Sequence, residues 1–394
     1  MVKEISFGVI GGLGLFLYGM KLMGDGMQKA AGDRLRRILE ILTGNIFLAI
    51  LVGALVTAVI QSSSATTVMV VGFVNAGLMT LQQAIGVIMG ANIGTTITAW
   101  LIAINLSEWA LPAIGIGVML TMISKNKTYR YVGQTFLGFG LLFLGLDTMG
   151  SSMAAIKESP KIAQLFLSIG KSPIEALLLG VAVTMIIQSS SATTGLVIAL
   201  GNQGLLTFDA ALPIILGANI GTCITAILAS IGASRNAKKA ALAHLLFNLI
   251  GSILAMIFLP WFNALVRFIN PQADFAHMVA NAHTAFNLAN TLLWIGLVNF
   301  LVKAVNLLVP GKDPLPQKAP AYLDKRMLNT PSVALSLATK ELIRMANIAG
   351  EMIEDARIGF FEQNRKRIED TYVKEDVVDH IQKEVVEYLS TLLS

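Results

Sequence analysis

Charge is scarce in this chain. Only 13% of its 394 residues are Asp, Glu, Lys or Arg, against about 25% in a soluble globular domain. The scarcity is local. Residues 1–310 hold 17 Lys/Arg and 10 Asp/Glu, whereas residues 311–394 hold 12 and 14. With 55% hydrophobic residues and a mean hydropathy of +0.69, the first stretch reads as a polytopic membrane domain and the second as a soluble segment. Cysteine is nearly absent. Cys223 stands alone, which excludes an intrachain disulfide and a thiolate metal cluster. No nucleophile–base pair and no phosphate-binding glycine loop with lysine is present, so the chain does not read as an enzyme. The net charge of +5 does not point to nucleic acid, because the basic excess of the membrane part lies in short loops.

What is present is a duplication. Residues 61–67 read Gln-Ser-Ser-Ser-Ala-Thr-Thr, and residues 188–194 read the same. Gly-Ala-Asn-Ile-Gly-Thr follows each copy, at Gly90–Thr95 and at Gly217–Thr222. The copies align without a gap at an offset of 127, with Thr57 on Thr184 and Asn75 on Asn202. Upstream, Gly12, Gly14, Gly19, Met23 and Met27 recur at Gly138, Gly140, Gly145, Met149 and Met153, at an offset of 126. The N-terminal apolar run thus belongs to a repeat and reads as a retained helix, not a cleaved signal peptide.

A spanning helix needs about 20 apolar residues. Residues 5–24 supply the first, and 25–42 read as an amphipathic surface helix. Residues 45–60 and 65–78 read as a re-entrant hairpin with Gln61–Ser64 at its tip. Residues 81–105 read as a helix broken at Gly90–Thr95, and 109–123 as a third crossing. The pattern restarts with a span at 131–149, an amphipathic stretch at 151–169, a hairpin at 173–187 and 192–205, and a broken helix at 208–233. Helix 239–259, a loop to about residue 279 and helix 281–308 follow. Three crossings per repeat invert the second repeat relative to the first. Charge agrees: the loop around Ser107–Trp109 carries only Glu108, while its counterpart carries Arg235, Lys238 and Lys239. The fold expected is an all-α integral membrane protein with two inverted-topology repeats, re-entrant hairpins and broken helices, plus a C-terminal soluble helical segment. Its parts are repeat 1 (1–127), repeat 2 (128–260), an extracellular loop with the final transmembrane helix (261–309), a Pro-rich linker (310–331) and the soluble segment (332–394). That segment holds two amphipathic helices that cannot bury their apolar faces alone, which predicts a homodimer through them or a larger bundle.

The polar strings carry the chemistry. Ser62, Ser63 and Ser64, and Ser189, Ser190 and Ser191, open the second half of each hairpin. They offer hydroxyls and free backbone N–H groups at the positive end of a helix, which is an anion site. No Lys or Arg lies in either motif, so the donors are neutral. Moving a divalent anion inward against about 100 mV costs roughly 4.6 kcal/mol, which a coupled cation offsets. Gln61, Thr66, Asn92, Thr95 and their mates are oxygen ligands of the kind that hold Na⁺ beside a substrate.

In these motifs the chain resembles the type II sodium-dependent phosphate cotransporters in their bacterial form, over about residues 5–308. The resemblance implies a sodium-coupled phosphate symporter of the cytoplasmic membrane, with the C-terminal segment in the cytoplasm. It implies phosphate at Gln61, Ser62, Ser63, Ser64, Gln188, Ser189, Ser190 and Ser191. It implies Na⁺, the coupling ion and sole cofactor, at Thr66, Thr67, Asn92, Thr95, Thr193, Thr194, Asn219 and Thr222. The repeats differ where Thr96 meets Cys223. Residues 332–394 resemble a PhoU-like helical domain. Two other readings keep the architecture: transport of sulfate or a small carboxylate, and a phosphate sensor that binds without flux.

Other signals read as structural. His244-x-x-Phe247-Asn248 and His283-x-x-Phe286-Asn287 put a polar pair on one face of each late helix, and interhelical hydrogen bonding accounts for them better than gating or proton relay. Glu375 and Asp379 have the acidic spacing of PhoU-like metal sites, but a solvated helix face accounts for them better, as it does for His380.

Overall fold

The computed structural model describes residues 2–32, 45–75, 79–154, 172–310, 320–363 and 365–393. Repeat 1 supplies α1 (Val2–Ala31), α2 (Ile46–Ile60), α3 (Ser63–Asn75), α4 (Leu81–Ala103) and α5 (Ala110–Ile123). Repeat 2 supplies α6 (Lys127–Ala154), α7 (Pro173–Ile187), α8 (Ser190–Asn202), α9 (Phe208–Ala229) and α10 (Arg235–Ile257). Then come α11 (Leu259–Ile269), α12 (Phe275–Leu308), a 3₁₀ turn (Lys325–Asn329), α13 (Pro331–Phe361) and α14 (Arg365–Leu393). Six of these helices are long and apolar enough to cross a membrane: α1, α4, α6, α9, α10 and α12. The protein is a multi-pass, all-helical membrane protein. The surface helices expected at 25–42 and 151–169 lie mostly outside the described residues. What is described of them, up to Ala31 and Ala154, continues α1 and α6.

The inversion of the repeats shows in one helix pair. A Cβ on Gly12 would meet Gly145 and Met149, one on Gly19 would meet Gly138 and Leu142, and one on Gly26 would meet Tyr131 and Thr135. Numbers rise along α1 as they fall along α6, so the helices run antiparallel. Gly12 is equivalent to Gly138 and Gly19 to Gly145. The contact of Gly12 with Gly145 and that of Gly19 with Gly138 are therefore one contact seen from each repeat. Equivalent helices meeting antiparallel across a local two-fold are what inverted repeats produce.

The expected breaks at Gly90–Thr95 and Gly217–Thr222 are corrected: α4 and α9 run through both motifs without interruption. The glycines serve approach instead. Gly53 lies under the carbonyl of Val87, Gly90 at that of Ile50 and Gly94 at that of Ala54. The second repeat reproduces this with Gly180 at Ile214, Gly217 at Leu177 and Gly221 at Val181. A helical glycine costs about 1 kcal/mol against alanine. An unpaired peptide group in apolar surroundings costs several, so the helix stays closed and the missing side chain lets a neighbour in.

Two further expectations change. The loop placed at 260–279 contains α11, which turns Trp261 and Phe268 outward. Of the linker, residues 320–330 are packed. Met327 is 2% exposed and fills the space a Cβ on Gly72 of α3 would occupy. The equivalent position in repeat 2 is Ala199. Val333 and Leu337 join Met327 against Val70, Phe73 and Val74 of α3, so the C-terminal segment sits on the first hairpin. Its two helices pair through Val377, Ile381, Val385 and Tyr388, while Ile353, Phe360 and Phe361 stay exposed. Glu375, Asp379 and His380 are exposed on α14. Asp355, 3% exposed, accepts from Arg367 at 2.5 Å and from Lys374 at 2.7 Å.

Two outcomes are expected. Gly19→Leu forces a side chain into the α6 backbone and costs about 1–3 kcal/mol. It lowers the thermal-unfolding midpoint of the purified protein, whereas Gly14→Leu, with nothing within 4 Å, leaves it unchanged. In the tail, the hydrogen bond from Lys374, then that from Arg367, holds the Asp355 carboxyl below its usual range. A depressed carboxyl stabilises above its unfolded pKa of about 3.9 and loses that contribution as pH falls below it. Amide exchange in residues 331–393, corrected for intrinsic rate, should rise below about pH 4. Asp355→Asn should remove that rise.

Candidate functional site

Each string forms a sharp corner inside the protein. α2 ends at Gln61 in the left-handed region (φ 58°, ψ 25°), and α7 ends at Gln188 in the same way (φ 59°, ψ 28°). Left-handed backbone costs a non-glycine residue energy, and both repeats accept it at the same place. The corner N–H groups close the preceding helices, Gln61 onto the Thr57 carbonyl and Gln188 onto that of Thr184, at 2.7 and 2.6 Å. The next helix starts two residues later. Ser62 Oγ accepts from the Ala65 N–H at 3.1 Å, and Ser189 Oγ from the Ala192 N–H at 3.2 Å. Ser62 and Ser189 are thus N-caps whose hydroxyls already serve their own helices. The N–H groups of Ser63, Ser64, Ser190 and Ser191 stand in the first turn, where no intrahelical acceptor exists. With the Ser63, Ser64, Ser190 and Ser191 hydroxyls they form a neutral donor set at the positive helix end.

The threonines lock each corner. Thr57 Oγ1 donates to Thr66 Oγ1 at 2.9 Å, and Thr184 and Thr193 share a hydrogen bond at 2.7 Å. Thr67 donates to the Ser63 carbonyl at 2.7 Å and Thr194 to that of Ser190 at 2.9 Å. Thr222 donates to the Ala218 carbonyl at 2.9 Å. In Asn92 and Asn219 the amide nitrogen donates to the carbonyl four residues earlier, at 2.8 and 3.0 Å, which leaves the amide oxygen for another partner. Thr95 Oγ1 is buried with no partner among the described residues. Threonines that donate inward retain oxygen lone pairs, and the set as a whole is acceptor-rich. The helix that follows each string packs against the long helices of both repeats: α3 on α4 and α9, and α8 on α9 and α4. The two halves of the proposed site therefore both lie where the repeats meet.

The two corners are not alike. Gln61 is 8% exposed, its Oε1 accepting from Thr98 Oγ1 at 2.9 Å and its Nε2 donating to the Ala58 carbonyl at 2.5 Å. Gln188 is exposed. Thr225, equivalent to Thr98, donates to the Thr222 carbonyl at 2.9 Å instead. Thr57, Thr184 and Thr98 escaped the sequence-predicted set. The alignment of Thr57 on Thr184 was the available signal for the first two. Thr98 aligns on Thr225 in the same way, but its bond to Gln61, 37 residues away, has no signal in the sequence.

Inverted helical repeats that place paired polar corners inside an apolar bundle define a membrane transporter. Residues 15–151 and 153–270 match the Na⁺/Pi-cotransporter family, and residues 342–394 match the PhoU domain. This chain belongs to the Na⁺/Pi-cotransporter family, and is a transporter, not an enzyme. It is 32% identical over 297 residues to the uncharacterized protein YqeW of Bacillus subtilis, covering 75% of this chain and 96% of that one. It is 30% identical over 352 residues to YjbB of Escherichia coli K12, provisionally named an inorganic phosphate export protein, covering 88% of this chain and 64% of YjbB. It is 39% identical over 103 residues to the human sodium-dependent phosphate transport protein 2B, covering 25% of this chain and 15% of the human protein. No solved structure matches the chain.

Thr98→Val should strand the buried Gln61 oxygen and cost about 1–3 kcal/mol. Thr225→Val, which removes only a bond within its own helix, should cost less than half as much. Thermal unfolding of the two variants side by side checks the difference.

Proposed function

We propose that this protein is a sodium-coupled symporter of inorganic phosphate, with the anion held between the corners at Gln61–Ser64 and Gln188–Ser191. The observation that carries the reading is the duplicated corner itself. Two helix N-termini of identical sequence, each with serine hydroxyls and free first-turn N–H groups, begin helices that pack on both repeats. Such termini bind oxyanions without a buried cation. Membership of the Na⁺/Pi-cotransporter family supports phosphate over sulfate or a carboxylate. Na⁺ is carried by oxygens of Thr66, Thr67, Asn92, Thr95, Thr193, Thr194, Asn219 and Thr222, and its entry offsets the roughly 4.6 kcal/mol that a divalent anion meets at about 100 mV.

The difference between the corners fits alternating access. In inverted repeats one gate is the image of the other, and exchanging their conformations exchanges the open side. Here Gln61 is buried and bonded by Thr98, and Gln188 is exposed. The name of YjbB speaks of export, and a symporter runs in either direction as the combined gradients dictate. The basic residues Lys125, Lys127, Arg130, Arg235, Lys238 and Lys239 support a cytoplasmic side for their loops and the C-terminal segment under the positive-inside rule.

The test is radiolabelled phosphate uptake into proteoliposomes under an inward Na⁺ gradient, with K⁺ or a pH gradient substituted in turn. Uptake should require Na⁺. Ser63→Ala and Ser190→Ala should each lower it about tenfold or more, as expected for loss of a charge-assisted hydrogen bond. Saturable phosphate binding without flux would favour a sensor, and neither binding nor flux would mean another anion.

A further inference from the structure

Two late helices, α10 and α12, hold an unusual set of buried polar groups. His244 and Asn248 of α10, and His283 and Asn287 of α12, are at most 1% exposed. Interhelical hydrogen bonding explains part of this. Asn248 Nδ2 lies 3.4 Å from Cys223 Sγ of α9, and Asn290 Nδ2 donates to the Phe247 carbonyl at 3.1 Å. Those bonds use amide nitrogens alone. Asn248 and Asn287 also direct their nitrogens to the carbonyls of His244 and His283, at 3.2 and 2.8 Å. That is the arrangement of Asn92 and Asn219 on α4 and α9. The oxygens turn the other way, and Oδ1 of Asn248, Asn287 and Asn290 and Oγ1 of Thr95 and Thr291 are buried with no partner among the described residues.

Interhelical contacts bring these atoms to one level of the bundle. Trp100 Nε1 donates to Thr284 Oγ1 at 3.0 Å, and Gln82 Nε2 to Asn299 Oδ1 at 3.3 Å. α4 and α12 are therefore antiparallel, with Asn92 and Thr95 alongside the Asn287–Thr291 turn. The amide of Asn290 fills the space beside Gly251 of α10, which sets that turn against Asn248. Ser252 Oγ donates to the Leu216 carbonyl at 3.1 Å, so Asn219 of α9 reaches the same level. Amide oxygens only accept. The unpartnered nitrogens of the same helices, on His244, His283 and Trp294, lie about one turn away from these oxygens, and no group of three or more His, Cys, Asp or Glu suited to a metal exists among the described residues. Neutral hard oxygens without a carboxylate suit a small singly charged cation. The level lies one to two turns along α4 from Thr98, the partner of Gln61.

We propose that Asn248, Asn287, Asn290 and Thr291, with Thr95, form a site for Na⁺ between α4, α10 and α12, outside the duplicated strings. The proposal rests on the sodium-coupled reading above, shares Thr95 with it, and adds Asn248, Asn287, Asn290 and Thr291, which that reading does not use.

The test has three arms on the full-length protein. In proteoliposomes, Asn248→Ala and Asn287→Ala should raise the Na⁺ concentration for half-maximal phosphate uptake about tenfold. The phosphate half-saturation at saturating Na⁺ should stay within about twofold. Variants that are monodisperse and keep the wild-type Na⁺ dependence overturn the site. If an alanine variant does not fold, Asn287→Asp keeps an oxygen in place and should change the preference between Na⁺ and Li⁺; an unchanged preference overturns the site. The third arm is equilibrium ²²Na⁺ binding to detergent-purified protein, which Asn287→Ala should abolish and Ser63→Ala should retain. Wild-type uptake that is equal in Na⁺ and in choline sinks the coupled reading alone, and the binding arm then decides the site by itself.

Discussion

A peptide group taken out of water must find its partner inside the chain. Most of this architecture follows from that constraint. It keeps α4 and α9 continuous through motifs rich in glycine and asparagine, where local propensity alone invites a break. It also confines the real breaks to two corners, where Thr57 and Thr184 carbonyls receive the N–H groups of Gln61 and Gln188. Beyond each corner, serine caps accept one N–H and leave the adjacent ones free. The free donors are thus the residue of an otherwise complete accounting, and they sit where the sequence is duplicated.

The duplicated strings were legible because a polar heptad inside apolar sequence has no packing explanation when it occurs twice. Inversion was legible from parity and loop charge, and the antiparallel meeting of Gly12 and Gly19 with Gly145 and Gly138 supports it. Gly90–Thr95 was misread because glycine signals two opposite things. It loosens a helix, or it admits a neighbour's backbone, and only the position of Ile50 and Ala54 decides between them. Tertiary contacts likewise decided α11 and the packed turn around Met327, since a proline-rich stretch looks the same whether or not its end finds a notch. The Thr98–Gln61 bond could not be read at all, because nothing in either local sequence names the other.

The repeats are equivalent in chain path and unequal in detail. Thr96 meets Cys223, Gly72 meets Ala199, and Thr98 and Thr225 use their hydroxyls differently. Each difference has a structural address. Cys223 faces His244 and Asn248, for which repeat 1 has no equivalent in sequence. Gly72 admits Met327. The tail thus accounts for the difference at Gly72, whereas that at Cys223 lies where α10, itself part of repeat 2, brings His244 and Asn248.

The seat of Met327 has a mechanical consequence. α3 opens with one of the two serine strings and carries near its end the notch that the tail occupies. Any displacement of α3 must either carry the paired helices of the tail with it as a load, or empty the notch and expose Met327, Val333 and Leu337 to water. Through that contact a load on α13 and α14 bears on the helix that begins at Ser63.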